Sequence, residues 1–246
     1  MTGDGVQSVN RAFALLELLT TLGGEAGVAE LSEGLSLPAP TIHRLLRTLI
    51  QRGYVMQLPS RRYSLGPGLI RIGEVATHRL SSWAMPTLRR LGDATGETAN
   101  LAVLDGDLAA YVAQIPSKHH MRMFTEVGRR VLPHAAGVGK ALLAQLSDEE
   151  ALAIVERTGM PGYTPTTITT PVELVTELAT IRRRGYAVDE GEQEVGVRCF
   201  AVPITGLALP MAVSISGPQG RVTLTSAARM VPVLQDAAAS LRAAVP

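Results

Sequence analysis

A single cysteine, Cys199, leaves the chain nothing to pair with internally. That excludes an intrachain disulfide framework and any zinc site built on several cysteines, and it suits a reducing compartment. No run of about 18 apolar residues occurs, so no membrane span is expected. The opening MTGDGVQSVNR has no basic stretch followed by an apolar core, and it does not read as a secretory leader. Net charge is also missing: 23 Lys and Arg against 22 Asp and Glu leave +1, which selects no partner for the whole chain. With 246 residues, 46% of them hydrophobic, the chain can bury cores for two ordinary domains. The expectation is a two-domain cytoplasmic protein.

A phosphate loop is absent too, although one stretch imitates it. In His134-Ala-Ala-Gly-Val-Gly-Lys-Ala the glycines and lysine suggest a nucleotide cradle. The P-loop pattern requires Gly where His134 stands, and a metal-ligating Ser or Thr where Ala141 stands. The dinucleotide pattern requires a small residue where Leu142 stands. What survives is a turn feeding a helix, whose first N–H groups face a small anion.

The most informative absence is local. Residues 38–73 contain no Asp or Glu but carry Arg44, Arg47, Arg52, Arg61, Arg62 and Arg71. Periodicity places helices over Val9 to Thr21, with Val9 and Phe13 on its apolar face, over Val28 to Glu33, and over Pro38 to Arg52. The third helix buries Ile42, Leu45, Leu46, Leu49 and Ile50 and presents Thr41, His43, Arg44 and Arg47. Strand-like runs Tyr54 to Leu58 and Arg62 to Leu65 follow around Pro59-Ser60-Arg61. Three helices and a hairpin make a winged helix-turn-helix. Its basic face matches the phosphate neutralisation that DNA binding needs. Thr41, His43, Arg44 and Arg47 are the recognition-helix candidates, and Arg61 and Arg62 the wing candidates.

Beyond Gly66-Pro67-Gly68, Leu69 to Ser81 reads as a linker helix with Leu69, Ile70, Ile72 and Val75 as its apolar stripe, suited to a second subunit. A helix over Trp83 to Thr95 precedes a mixed domain. Thr98 to Leu104 and Leu108 to Gln114 flank the hairpin signal Asp105-Gly106-Asp107. Met121 to Phe124, Tyr186 to Asp189, Arg198 to Ile204 and Met211 to Ser216 read as strands. Helices are expected over Val138 to Gln145, after the capping box at Ser147, from Thr170 to Arg184, and from Ser226 to Ala244 with Pro232 in its first turn or at a kink. The fold class is α+β, and the domain reading is 6–66 DNA-binding, 67–81 linker helix and 82–246 effector-binding.

The segments SVNRAFALLELL, PAPTIHRLLRTLIQRGYV, RRYSLGPGLIRIG, LPHAAGVGKALLA, RRRGYAVDEGEQEVGVRCFAVPI and AVSISGP, in this order, resemble the IclR family of bacterial transcriptional regulators. NLAVLDG, VAQIPSKHHMRMFTEVGRRV and HAAGVGK are most similar to repressors of allantoin and glyoxylate metabolism. The resemblance implies a winged helix, a linker helix and a GAF-like effector domain, assembled as a dimer or tetramer on palindromic operator DNA. It implies an effector site in which a ligand carboxylate meets backbone N–H groups at Gly137 and Val138. Asp189, Cys199, Ser214 and Ser216 surround that ligand, and Met123 and Val197 form apolar walls.

No cofactor is expected. No metal is expected either, because the adjacent His119 and His120 would point to opposite faces of a strand. Two rival readings compete with a ligand-responsive repressor. One is a cysteine-dependent hydrolase using Cys199 with Asp189 and His134. The other is a DNA-binding protein whose C-terminal domain only joins subunits.

Overall fold

The computed structural model describes residues 6–120 and 126–245. The expected strand Met121 to Phe124, and Met123 with it, lies outside the described residues. The chain folds as two compact units, Met1–Ala76 and Thr77–Pro246.

The first unit packs helices α1 (Gln7–Thr21), α2 (Val28–Leu35) and α3 (Ala39–Gln51) beside a small sheet. Helix α3 buries Ile42, Leu45, Leu46 and Leu49, the spacing that puts four side chains on one helical stripe. They meet Leu15 and Leu19 from α1 and Leu31 from α2. Ser36 ends α2 in the left-handed conformation at φ 51°, and Pro38 opens α3 where its missing N–H costs nothing. The wing is β2 (Val55–Gln57) and β3 (Tyr63–Leu65), paired antiparallel. A third strand, β1 (Glu25–Ala26), pairs with β3 and completes the order β1-β3-β2. Sequence patterning does not reveal β1, because two residues carry no periodicity.

Some apolar residues expected in this core are not in it. Val9 is 48% exposed, Phe13 61% and Ile50 39%. Helix α4 (Gly68–Ser81) likewise leaves Ile70, Ile72 and Val75 more than half exposed.

The second unit is built on six antiparallel strands: β4 (Thr98–Asp105), β5 (Leu108–Ile115), β6 (Arg130–Val131), β7 (Ala187–Glu190), β8 (Val197–Ile204) and β9 (Met211–Pro218). Their order is β6-β5-β4-β9-β8-β7. Gly106 takes φ 60° in the tight β4–β5 turn that the Asp-Gly-Asp sequence calls for. One face carries Leu101, Phe200, Val202, Val213 and Ile215 against α5 (Met85–Thr95) and α9 (Ala227–Ala244). The other carries Ala102, Tyr111, Cys199, Ala201 and Ala212 against α6 (Gly137–Leu143), α7 (Asp148–Thr158) and α8 (Pro171–Arg184). Ser147 and Glu150 close a capping box on α7, and the Thr170 hydroxyl accepts the Glu173 N–H on α8. Pro232 lies inside α9, a turn later than its missing N–H favours. The fold is a helix-turn-helix unit followed by an α+β unit. Among the described residues no helix is long and apolar enough to cross a membrane.

Candidate DNA-binding face and effector site

On α3, His43, Arg44 and Arg47 are exposed and Thr41 is half-buried. The exposed surface divides into two rows. Arg44, Thr48 and Arg52 line a groove with Val9, Phe13 and Leu16 of α1, while His43, Arg47 and Ile50 border the side where Tyr63 lies. At the wing tip the Arg61 N–H donates to the Leu58 carbonyl and Arg61 takes φ 63°, an uncommon conformation for a residue other than glycine. That turn leaves Arg61 exposed.

Arg62 departs from the expected wing role. Its guanidinium pairs with Glu25 at 3.0 Å and Glu30 at 2.9 Å, and Nη2 donates to the Glu25 carbonyl. The Gly27 N–H, and then the Arg62 guanidinium, hold the Glu30 carboxyl below its usual range. The local charge of Arg62 is therefore met within the unit, and the residue ties β3 to the start of α2 instead of pointing outward.

The glycine-lysine stretch of the second unit is a buried helix. Every residue of α6 is buried, and the two glycines are packing positions. A Cβ on Gly139 would lie 2.4 Å from the Pro133 backbone. A Cβ on Gly137 would lie 2.9 Å from Cys199 Sγ and 3.4 Å from the Asp189 Cβ. Lys140 pairs with Glu192 at 2.6 Å and Glu177 at 3.5 Å, with its side chain 1% exposed.

Sheet register gathers the remaining expected residues. Asp189 stands opposite Cys199, and Cys199 opposite Ser216. Two residues along each strand, Ala201 stands opposite Ser214. Residues two apart share a face, so Val197, Cys199, Ser214 and Ser216 all lie on the α6 side. Val138 is fully buried there. Asp189 Oδ1 accepts the Glu192 N–H at 2.7 Å. Burial raises the Asp189 pKa, opposed by the N–H groups of Glu192, Gln193 and Gly137 and by the Lys140 charge. Burial first, then the neighbouring Asp189 charge, pushes the Cys199 thiol up to about 12, against the serine hydroxyls of 216 and 214.

A hydroxyl latch holds the segment between β7 and β8. Thr164 Oγ1 donates to the Gly191 carbonyl at 2.7 Å and Thr167 Oγ1 to the Glu192 carbonyl at 2.6 Å. His134 braces the loop between α7 and α8 that carries these threonines, with Nε2 at 3.0 Å from the Pro161 carbonyl and its ring stacked on Tyr163.

Family models match both units: an IclR helix-turn-helix domain over residues 8–59 and the C-terminal domain of bacterial IclR transcriptional regulators over residues 73–243. The chain belongs to the IclR family. This IclR-family protein is 38% identical over 225 residues to the transcriptional repressor IclR of Escherichia coli K12, covering 89% of this chain and 82% of that protein. It is 37% identical to the E. coli K12 transcriptional repressor AllR, covering 89% and 83%. A crystal structure of an IclR transcriptional regulator from Alicyclobacillus acidocaldarius superposes with a TM-score of 0.86 at 30% identity, covering 98% of this chain and all of that one.

This IclR-family chain is thus a DNA-binding transcriptional regulator, not an enzyme. The hydrolase alternative also fails on chemistry: a thiol displaced to about 12 is not a thiolate at neutral pH. No metal-ligand cluster occurs among the described residues. Three side chains beside the site escaped the sequence reading. Tyr111 faces it, and its phenol pKa is raised by burial and then by Cys199 and Asp189. Asn100 and Gln114 continue the Ser214 row across the sheet. Strand alternation alone could have put Asn100 on one face with Ala102, but a bulge at Leu101/Ala102 breaks the count between β4 and β5.

Proposed function

We propose that this regulator is a cytoplasmic repressor released from a palindromic operator by a small oxygen-rich metabolite, glyoxylate or an allantoin-pathway ureide. The observation that carries the effector reading is the transverse row Asp189, Cys199 and Ser216, with the backbone of Gly137 close against it. A carboxylate meets the N–H groups of Gly137 and Val138 at the start of α6, competing with Asp189 for the Gly137 N–H. Ser214 and Ser216 donate from β9, Val197 flanks the strand end, and Asp189 accepts a ligand hydroxyl or N–H, since two carboxylates repel. The relatives IclR and AllR of E. coli carry repressor names, which favours repression here.

Thr41, His43, Arg44, Arg47 and Arg61 provide the DNA face in this reading. At each of them phosphate contact is the commoner role. The exposed apolar residues of α1 and α4 support assembly as a homodimer or tetramer, which a two-fold operator requires. The domain limits we adopt are 6–66, 67–81 and 82–246. Ligand acts through α4, which carries residues of both units, by binding more tightly to the DNA-incompetent arrangement.

The experiment is a paired titration. Glyoxylate and allantoin are titrated into the free protein and into the operator complex at fixed salt. Weaker binding to the complex by about 5–150-fold is expected, the range of a coupling of roughly 1–3 kcal/mol. The double variant Ser214→Ala, Ser216→Ala loses release, because a hydrogen bond to a charged group contributes about 1.5–3 kcal/mol. Equal ligand affinity in both forms, or undiminished release in the double variant, refutes the reading.

A further inference from the structure

The α6 side of the sheet is lined mainly by small apolar residues such as Ala102, Ala201 and Ala212. One polar strip interrupts it. Ser214 on β9 stands opposite Asn100 on β4, and Asn100 stands opposite Gln114 on β5. Ser214 and Asn100 are fully buried. Gln114 Nε2 donates to Asn100 Oδ1 at 3.1 Å, and Asn100 Nδ2 reaches Ser214 Oγ at 3.5 Å. The Ser214 hydroxyl in turn interacts with the Cys199 thiol. A hydrogen-bonded string therefore crosses β5, β4, β9 and β8 on one buried face.

Folding does not call for this string. Burying an amide costs free energy unless each of its donors and acceptors is met. The opposite face of the same strands uses Leu101, Val213 and Ile215 at no such cost. Nearby Thr98 has a structural duty, accepting the Ser117 N–H at 3.2 Å. Asn100 has two amide hydrogens and spends one on a contact at the outer limit of hydrogen-bond length. Such a contact is readily exchanged for a better partner. Strands lie about 4.8 Å apart, so Gln114 is roughly 10 Å from Ser214 across the sheet. The strip is longer than a two-carbon acid.

We propose that Asn100 and Gln114 are effector-specificity residues, whose amides pair with an amide or ureido group at the far end of a carboxylate effector. The inference rests on the effector reading of Gly137, Cys199, Ser214 and Ser216 given above. An amide presents a donor beside an acceptor, the complement of another amide or of a urea. A site built to hydrogen-bond such a group discriminates against analogues that lack it.

Calorimetry on the full chain with two probes tests this. N-Carbamoylglycine carries a carboxylate and a ureido group; glyoxylate carries the carboxylate without the ureido group. The wild type binds N-carbamoylglycine more tightly. Gln114→Ala and the space-filling Gln114→Leu lower that affinity about tenfold and leave glyoxylate within about twofold. Asn100→Ala shows the same selectivity, and because Gln114 is only half-buried its variants test the pair even if Asn100→Ala unfolds. If both probes bind the wild type and the Gln114 variants weaken both equally or neither, the effector site stands and the specificity role falls. If neither probe binds the wild type, the effector reading and this inference fall together.

Discussion

Gly137→Ala tests the heart of the proposed effector site with one methyl group. The added Cβ would lie 2.9 Å from Cys199 Sγ, inside the 3.5–4.0 Å separation at which carbon contacts are most favourable. Cys199 has little room to retreat, because β8 is paired on both sides by β7 and β9. Overpacking of this kind costs about 1–3 kcal/mol. Alanine returns about 0.5–1 kcal/mol as a better helix former than glycine. The net loss is then about 0–2.5 kcal/mol, and at roughly 2–4 °C per kcal/mol for a domain of this size the Tm of the second unit falls by up to about 10 °C. Cys199→Ala in the same chain removes the sulfur and leaves contacts of 3.4 Å, which are ordinary, so much of the loss returns. Scanning calorimetry on wild type, both single variants and the double variant measures the cycle. Operator affinity of Gly137→Ala stays at the wild-type value while glyoxylate no longer releases DNA, because the methyl group occupies the space between the turn and Cys199. Additive Tm changes in the cycle, with Gly137→Ala no better tolerated in the Cys199→Ala background than beside Cys199, refute the packing of Gly137 on Cys199.

The arginines of the first unit separate by role. Arg44→Ala and Arg47→Ala weaken operator binding, and Arg61→Ala lowers the slope of log K against log salt by about 1. Arg62→Ala instead lowers the melting temperature of that unit through loss of its pairs with Glu25 and Glu30, and a salt-slope change without a stability change would contradict the ion-pair role. Glu192 gives a pH signature. Burial raises its pKa to about 7, against the opposing Lys140 charge. Between its unfolded value of 4.5 and about 7 the folded state holds the extra proton, so stability falls as pH rises through that window. The contribution reaches about 3 kcal/mol at 1.36 kcal/mol per pKa unit. Melting profiles from pH 5 to pH 8 are shallower for Glu192→Gln, and parallel profiles for variant and wild type would dismiss the group.

Features set by local periodicity were legible in the sequence. The burial stripe of α3, the Asp-Gly-Asp hairpin and the caps at Ser147 and Thr170 depend on residues within a few positions of one another. Features set by pairing were not. Arg62 reads as a wing cation until the fold brings Glu25 and Glu30 beside it from 37 and 32 positions away. Lys140 meets Glu192 across 52 positions, and no pattern along the chain announces that pair. Periodicity also places Val9, Phe13, Ile70 and Val75 on apolar faces, but it cannot say whether the same chain covers such a face, and here they are exposed. Asn100 and Gln114 were missed because their significance lies in register, which shifts unannounced between β4 and β5 at Leu101/Ala102.

Asp189 gives the second unit a built-in competitor. Its carboxylate is the anion that the Gly137 N–H, the Glu192 N–H and the Lys140 charge already act upon. Any incoming acid is therefore weighed against a tethered one whose local concentration is fixed by the fold. In the proposed effector site, ligand affinity is the difference between two anion-binding free energies, which keeps it modest even where individual contacts are strong. In the proposed effector site this competition sets a threshold: weakly held anions leave the carboxylate in place, and the response follows once the metabolite accumulates.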